Sequence, residues 1–549
     1  MSADRRSVLV GGAALAGAGI ASGGIASAAI ARGGIAGRAF ALTLPCGEAP
    51  VAQTTYGDVR GETQDGINVF RGIPYGAPTG GDARFQPPQP PKSWGGVREA
   101  TKFGDQCPQN APPPTPAWAS WAVSTGESED CLVLNVWTPG LADGKKRPVM
   151  VWLHGGGYSV FNGSAPVYDG TRLCQRGDVV VVTLNHRLNL FGYLYLADLA
   201  GDRFADSGNI GQLDIVAALQ WVRDNIAAFG GDPGRVMIFG ESGGGGKVST
   251  LMAMPAAKGL FHRAAIESGP GLTGIKPDEA TETARAVCRA MGVSEHDAGA
   301  LVHAPVDRLL DALKTVTSGM PRGFGPVVDG RSLPRDPFTP DAPGVSADVP
   351  VIVGYNATET TVLFPPAGAF DLDWAGLKTD LVARAQGADV DKLIADFRRL
   401  RPGASPSDLY FIITTEASMG AGSRTLAERK SAQGAAPAYL YRLDLETPVQ
   451  RLRSPHSLDL PLVFDNVAKS ASLLGASAPE AQKAADQMSA AWIAFAHTGS
   501  PNATGLASWP RYDTRSRSTM LFNVVSRAVN DPNSDERQII AALPSGRGA

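Results

Sequence analysis

Several short runs of this chain are almost wholly apolar and rich in valine, and they alternate with segments of helical periodicity. The runs lie at 148–153, 179–184, 235–239 and 350–353. Strands of a parallel sheet have this composition, because helices cover both of its faces. The segment Ile215 to Ala228 carries its apolar residues on one stripe, as a covering helix does. The pattern predicts an α/β fold: a central, mostly parallel sheet with helices on both faces and large helical insertions at 275–345 and 366–430.

Composition and charge exclude several classes of function. The 549 residues carry a formal net charge of −3, and the chain has no run of basic residues. This balance argues against nucleic acid or an anionic membrane surface as the main partner. No apolar run beyond the N-terminus is long enough for a membrane span. The cysteines lack CxxC or Cys/His spacing, so we predict no zinc site, and no other metal or organic cofactor is implied.

The N-terminal segment has the features of an export signal. Arg5-Arg6 precedes a long tract of alanine, glycine and isoleucine, as in twin-arginine signals. Ala39-Phe40-Ala41 fits a small-x-small cleavage site, which places the mature start near Leu42. We therefore expect an exported protein, periplasmic or extracellular. The predicted organisation is an export signal at 1–41, one α/β domain at 42–529 and a flexible tail at 530–549.

The five cysteines allow a disulfide in an exported protein. They lie at positions 46, 107, 131, 174 and 288. An oxidising compartment preserves disulfides, and an odd count leaves at least one thiol unpaired. Cys107 and Cys131 flank a proline- and tryptophan-rich loop and are the favoured pair. Closing a loop of that size would stabilise the fold by roughly 3 kcal/mol in the chain-entropy model.

A G-x-S-x-G motif predicts the nucleophile. Gly240-Glu241-Ser242-Gly243-Gly244 directly follows an apolar strand, and the helix-capable run Val248 to Met254 comes after it. A sharp turn there lifts the serine oxygen clear of the sheet, and the flanking glycines let strand and helix pass closely. A phosphate-binding loop is excluded, because Lys247 is followed by valine rather than serine or threonine. We predict that Ser242 is the nucleophile of an acyl transfer.

A second glycine-rich loop predicts an oxyanion hole. His154-Gly155-Gly156-Gly157 follows the strand that ends at Leu153. Backbone N–H groups reach a developing oxyanion only where no side chain blocks them. The amides of Gly156 and Gly157, joined by that of Gly243, are the predicted donors. His154 is interpreted as a loop histidine without a catalytic role.

The base and the acid of a triad should follow the serine along the chain. The histidines after Ser242 lie at 262, 296, 303, 456 and 497. His456 lies in a loop after the strand Tyr439–Leu443, whereas the others lie on or beside helical segments. Glu359, just past a buried strand, is the favoured acid that orients the imidazole, and Asp329 is the alternative.

Further motifs occur in a consistent order along the chain. They are Phe70–Tyr75, Glu129–Val136, Ala228–Pro233, Glu267–Gly269, Asp459–Pro461 and Trp509-Pro510. Together with the motifs above they resemble the type-B carboxylesterase/cholinesterase family of the α/β-hydrolase fold, from about Val51 to Phe522. The resemblance implies a serine hydrolase that cleaves small uncharged carboxylic esters through an acyl-enzyme. Hydrolysis of carbamates, amides or lactones with the same triad is an alternative, and a non-catalytic binding role is another.

The resemblance also assigns individual residues. It implies that Glu359 is the acid, and it supports the bridge between Cys107 and Cys131. By analogy Glu241 is a charge at the base of the gorge; a structural ion pair with a strand-end arginine is the other reading. Trp118 and Trp121 are candidates for the gorge rim and Phe364 for the border of the acyl pocket, although loop aromatic residues usually serve packing.

The chain departs from the family pattern at three positions. Gly243 replaces the usual alanine, which loosens the oxyanion amide, and Thr360 replaces the usual glycine. Lys247 stands where small residues are usual, in the first turn of the nucleophile helix. A cation there opposes the helix dipole. We therefore hypothesise that Lys247 pairs with a carboxylate and helps to shape the site.

Overall fold

The computed structural model describes most of the chain after the N-terminal segment. The described residues are 49–111, 115–121, 123, 125–318, 323–363, 365–385, 387–476 and 478–544. The predicted export signal, Cys46 and Phe364 lie outside them. No helix in the described part is both long and apolar enough to cross a bilayer.

Fourteen strands lie within the described residues. They are β1 (Val51–Thr54), β2 (Gly57–Arg60), β3 (Glu62–Gln64), β4 (Ile67–Pro74), β5 (Val97–Glu99), β6 (Val133–Thr138), β7 (Arg147–Leu153), β8 (Val180–Leu184), β9 (Gly231–Glu241), β10 (Arg263–Glu267), β11 (Val351–Asn356), β12 (Ala438–Leu443), β13 (Ser518–Phe522) and β14 (Arg527–Asn530). The apolar runs read from the sequence all fall on strands of this set.

The α-helices of the described residues connect and cover these strands. They are α1 (Thr171–Gly177), α2 (Asn189–Tyr193), α3 (Ala197–Ala200), α4 (Ile210–Asn225), α5 (Gly243–Leu251), α6 (Pro277–Met291), α7 (Val306–Thr317), α8 (Trp374–Arg384), α9 (Val390–Leu400), α10 (Pro406–Thr415), α11 (Ala421–Gln433), α12 (Leu460–Val463), α13 (Ala471–Leu474), α14 (Pro479–Thr498) and α15 (Ser534–Ala541). A π-helical turn, Glu416–Gly420, joins α10 to α11. The predicted insertions at 275–345 and 366–430 do contain helices, α6 to α11.

Eleven of the strands form one twisted sheet in the order β14-β13-β12-β11-β10-β9-β7-β8-β6-β4-β3. The seven strands from β13 to β8 are mutually parallel, and antiparallel strands complete both edges. A separate three-stranded sheet contains β1, β2 and β5. The mostly parallel α/β architecture predicted from the sequence is therefore confirmed. Parallel strands point their carboxyl ends toward one edge, where ligands of such sheets bind.

The two faces of the sheet carry separate cores. Along β7, Val149 and Val151 pack on one side with residues of α4, whereas Met150 and Trp152 pack on the other side with residues of α14. This alternation follows from the two-residue period of a strand. Both sets are fully buried, which explains why the sequence of β7 is continuously apolar.

The C-terminal region is more ordered than the sequence analysis predicts. A tail beginning at residue 530 was expected to be flexible, yet Ser534–Ala541 forms α15. Glu536 makes a salt bridge with Arg401 at the end of α9, and Ile540 is buried among α8, α9 and α10. The expectation of a flexible tail is therefore wrong for this segment, because contacts remote in sequence stabilise a polar helix.

Candidate active site

The candidate site lies at the carboxyl edge of the parallel sheet. Ser242 directly follows β9, Glu359 follows β11 by three residues, and His456 lies in the loop after β12. Strands β9, β10, β11 and β12 are consecutive neighbours in the sheet. The topology therefore brings loops that are far apart in sequence to one edge.

Ser242 occupies a strained turn between β9 and α5. Its backbone has φ 56° and ψ −124°, a conformation that non-glycine residues rarely adopt. A Cβ at Gly244 would lie 2.0 Å from the carbonyl oxygen of Leu153, so only glycine permits this approach of α5 to β7. The serine side chain is half-buried and has no hydrogen-bond partner among the described residues. This is the geometry expected of an exposed nucleophile at a strand-to-helix turn.

Glu359 and His456 are in direct contact. The Nδ1 atom of His456 lies 2.5 Å from Oε2 of Glu359, and both side chains are buried. The other carboxylate oxygen, Oε1, accepts a hydrogen bond of 2.7 Å from the backbone N–H of Asn356. The glutamate is thus held by its own strand and in turn holds the imidazole through Nδ1, which leaves Nε2 for other contacts.

The Nε2 edge of the His456 ring faces Glu241, the residue before Ser242. Its Nε2 atom lies 3.0 Å from Oε1 of Glu241. The same carboxylate oxygen accepts a hydrogen bond of 2.7 Å from the Ser457 hydroxyl. Glu241 therefore contacts the imidazole and forms no ion pair with an arginine among the described residues. In this arrangement the structure contains no hydrogen bond between Ser242 and His456.

Burial and charge act in opposite directions on these groups. Burial lowers the pKa of His456, but the carboxylates of Glu241 and Glu359 raise it, with a net result of about 9. Burial raises the pKa of Glu241 to about 7, although His456 lowers it. An imidazolium between two carboxylates is the form that this pocket stabilises.

Three backbone amides near the serine have no hydrogen-bond partner among the described residues: those of Gly156, Gly157 and Gly243. Gly156 and Gly157 have φ of 83° and 62°. A Cβ at Gly243 would lie 2.1 Å from the carbonyl oxygen of Gly157. The glycine at this position therefore lets the 155–157 loop, which we call the oxyanion loop, approach the nucleophile closely.

The hypothesis that Lys247 pairs with a carboxylate is wrong. Its Nζ atom donates a hydrogen bond of 2.9 Å to the main-chain carbonyl of His154 and lies 5.6 Å from the centre of the Tyr158 ring. No carboxylate of the described residues is within salt-bridge distance of it. Burial lowers the pKa of Lys247 to about 7, and the field of Glu241 only partly offsets this. Because this amine is readily deprotonated, a main-chain carbonyl and an aromatic ring are sufficient partners for it.

Of the other residues proposed from the sequence, one borders the site and the rest have other roles. Asp329, the alternative acid, accepts hydrogen bonds from residues of its own turn and from Asn209, and has no contact with His456. The indole of Trp118 lies 6.5 Å from the His456 ring, centroid to centroid, and so borders the site. Trp121 is buried and donates a hydrogen bond to Ser470, which is a packing role.

The predicted disulfide is not formed in the structure. Cys107 and Cys131 are both buried free thiols. The neighbouring Cys107 thiol and burial raise the pKa of the Cys131 thiol. Cys174 and Cys288 are buried and free as well.

Two polar residues near the histidine, Asn356 and Asp459, have contacts that the sequence does not predict. The side-chain amide of Asn356 donates to the carbonyl of Pro455 and, at 3.3 Å, to Asp459. Asp459 also accepts a hydrogen bond of 2.7 Å from the Tyr441 hydroxyl. Both residues fix the loop that carries His456. The sequence feature that could have identified Asn356 is its position: it is a polar residue that ends an otherwise apolar strand, three residues before the acid.

Comparisons with known proteins agree with this geometry. A sequence model described as the carboxylesterase family matches residues 48–539. The para-nitrobenzyl esterase of Bacillus subtilis (strain 168) is 36% identical over 497 residues, which cover 89% of this chain and 98% of the relative. The liver carboxylesterase of Sus scrofa is 35% identical over 513 residues, 84% of this chain and 88% of the relative.

The solved structures give the same result. A crystal structure of a Geobacillus stearothermophilus carboxylesterase superimposes with a TM-score of 0.79 at 38% identity, covering 89% of this chain and 99% of the other. Membership of one family thus explains the fold, the order of the motifs and the arrangement of the strand ends. The chain belongs to the carboxylesterase family, and it is a serine carboxylic-ester hydrolase with the α/β-hydrolase fold.

Proposed function

We propose that this esterase works through an acyl-enzyme in which Ser242 is the nucleophile, His456 the general base and acid, and Glu359 the residue that orients the histidine. The observation that carries the proposal is the 2.5 Å contact between Glu359 and Nδ1 of His456. It fixes the tautomer that keeps the proton on Nδ1. In the proposed reaction Nε2, which faces Glu241 in the structure, is the atom that accepts the proton of Ser242.

The reaction then proceeds in two halves. Ser242 Oγ attacks the ester carbonyl and its proton passes to Nε2 of His456, while negative charge develops on the carbonyl oxygen. The unpaired amides of Gly156, Gly157 and Gly243 stabilise that charge. The intermediate collapses, the C–O bond to the alcohol breaks, and the alcohol leaves with the proton from Nε2. Water then attacks the acyl-enzyme with the same proton transfers, releasing the carboxylic acid and free Ser242.

For substrate we propose small uncharged carboxylic esters. The relatives named para-nitrobenzyl esterase and liver carboxylesterase support this choice. The net charge of −3 gives no reason to expect a strongly charged ligand.

Replacement of the nucleophile tests the proposal directly. Ser242→Ala should lower turnover of a p-nitrophenyl ester by at least about 10³-fold, because triad residues contribute on this scale. A fluorophosphonate probe should label the parent protein at Ser242 and leave the variant unlabelled. Ser268→Ala is the matched control, since Ser268 follows the neighbouring strand β10 with a similar φ of 49°. Full activity in Ser242→Ala would disprove the assignment.

We further propose that the protein is exported and that Cys107 and Cys131 form a disulfide in an oxidising compartment. Arg5-Arg6 and the apolar tract after it support export. The interaction between these two buried thiols supports the pairing, because an oxidising compartment preserves a disulfide between neighbouring cysteines.

A further inference from the structure

Lys247 is a buried lysine that the proposed mechanism does not use. Its side chain is 0% exposed, on the helix that begins directly after the nucleophile. A buried lysine in the first turns of a helix is costly, because it loses hydration and its charge opposes the helix dipole. Shorter or apolar side chains would avoid both costs, so the position of its amine calls for a structural explanation.

The amine contacts the residues on both sides of the oxyanion loop. Nζ donates to the carbonyl of His154, the residue before the three glycines, and lies against the ring of Tyr158, the residue after them. One side chain thus contacts both ends of the loop. Tyr158 also packs on α5, since a Cβ at Gly246 would lie 2.6 Å from its hydroxyl oxygen.

The oxyanion loop needs such an anchor. Three successive glycines have little intrinsic preference for one conformation, and the free amides require a defined direction toward the substrate. The carbonyl of Gly156 accepts hydrogen bonds from Ser159 and Val160, which fix only the far side of the loop. The contact between Lys247 and His154 connects the near side to α5, the helix that begins directly after Ser242.

The histidines around the amine make contacts of their own. His154 and His186 stack with their rings 4.9 Å apart. Nδ1 of His154 lies 2.9 Å from the carbonyl oxygen of Gly155, the first glycine of the oxyanion loop, and Nδ1 of His186 lies 2.9 Å from that of Arg187. Their Nε2 atoms are buried without a partner among the described residues. The contact of His154 with Gly155 is local, because the two residues are adjacent in the chain, whereas the Lys247 side chain connects this segment to the nucleophile helix.

We propose that Lys247 is a positioning residue for ester hydrolysis: its amine, held between His154 and Tyr158, fixes the amides of the oxyanion loop relative to Ser242. The proposal rests on the acyl-enzyme mechanism proposed above. It predicts that loss of the amine impairs stabilisation of the tetrahedral intermediate more than binding of the ester.

Two substitutions test the role. Lys247→Met keeps an unbranched side chain and removes the donor, and Lys247→Gln keeps a donor on a shorter side chain. For Lys247→Met we expect kcat to fall by roughly 10- to 100-fold with KM within about threefold, since misplacement of catalytic groups by about 1 Å costs on the order of 100-fold. Affinity for a trifluoromethyl ketone, which forms an oxyanion on the serine, should fall by the same factor as kcat/KM. Lys247→Gln should recover part of the loss.

Lys430→Met is the matched control. Lys430 is also 0% exposed and donates to main-chain carbonyls, those of Ser346 and Ala347, but these lie before β11 at the opposite edge of the sheet. It should lose stability while keeping kcat and ketone affinity. The inference is overturned if the folded Lys247 variants keep parental kcat and ketone affinity. It is also overturned if their losses of kcat and ketone affinity are no larger than those of Lys430→Met. Should Lys247→Met not fold, Lys247→Gln alone decides by the same comparison. A parent protein that neither hydrolyses esters nor reacts with the fluorophosphonate would instead refute the mechanism itself.

Discussion

Replacing Glu241 by glutamine should move the pH dependence of the esterase. The substitution keeps the size of the side chain and removes one of the two carboxylates that contact the His456 ring. The histidine must lose its proton before it can accept one from Ser242, so the acid limb of kcat/KM reports its pKa in the free enzyme. With both carboxylates present that pKa is about 9.

The expected shift follows from the geometry. Unit charges 3.0 Å apart attract by about 5.5 kcal/mol at an effective dielectric constant of about 20. The full value does not apply, because the pKa of Glu241 is itself raised to about 7 and the carboxyl is partly protonated near neutrality. A neighbouring opposite charge commonly shifts a pKa by about 1–3 units. We therefore expect the acid limb of Glu241→Gln to move down by about 1–3 pH units, equivalent to about 1.4–4 kcal/mol.

The assay is titrimetric hydrolysis of an ethyl ester from about pH 5 to about pH 10, with kcat/KM measured at each pH. Glu267→Gln is the control: Glu267 pairs with Glu241 across β9 and β10, and Trp492 donates to it. Burial raises the pKa of Glu267 well above its usual value, so the glutamine replaces a neutral carboxyl. Glu267→Gln should leave the acid limb of kcat/KM at the same pH as in the parent enzyme. An unmoved limb in Glu241→Gln, or equal movement in both variants, would refute the reasoning.

Two further predictions concern the glycine contact and the cysteines. Gly243→Ala should lower kcat by roughly 10- to 100-fold in ester hydrolysis, because the new Cβ would lie 2.1 Å from the carbonyl of Gly157 and must displace the oxyanion loop. Mass spectrometry of the protein recovered from the exported fraction should give an N-terminus near Leu42 and a peptide bridged between Cys107 and Cys131.

Each of these two predictions has a control and an outcome that would contradict it. Gly344→Ala introduces a Cβ where nothing lies within 4 Å, and its kinetics should match the parent. Parental activity in Gly243→Ala would show that the loop adapts to an alanine without loss. Thiol titration of the denatured exported protein should find Cys107 and Cys131 unreactive until reduction, and free reactive thiols at both positions would contradict the bridge.

Much of the sheet could be predicted because its strands are encoded locally. A strand covered on both faces needs continuous apolar residues, and the runs at 148–153, 179–184 and 350–353 lie on β7, β8 and β11. The nucleophile turn and the glycine loop were also readable, since each needs a short contiguous motif. Glu359 and His456 could be selected only by combining chain order with the ends of strands and with the resemblance to the family.

Features that depend on distant contacts could not be predicted. The helix-capable run seen in the sequence is Val248 to Met254, yet α5 begins at Gly243, although glycine disfavours helix. The close approach to Leu153 and Gly157 requires those glycines, and tertiary packing overrides their low helix propensity. In the same way, nothing local to Lys247 indicates that its amine reaches the carbonyl of His154, in the loop after β7.

The order of the strands has a consequence for how this enzyme can change over evolutionary time. Strands β9 to β12 are neighbours in space in the same order as in sequence, with long connecting segments at 268–350 and 357–437. These segments leave the sheet and return to it, so their lengths can vary while the strand ends stay fixed. New substrate preferences can therefore arise by remodelling the helical connections, without disturbing the atoms that break the ester bond.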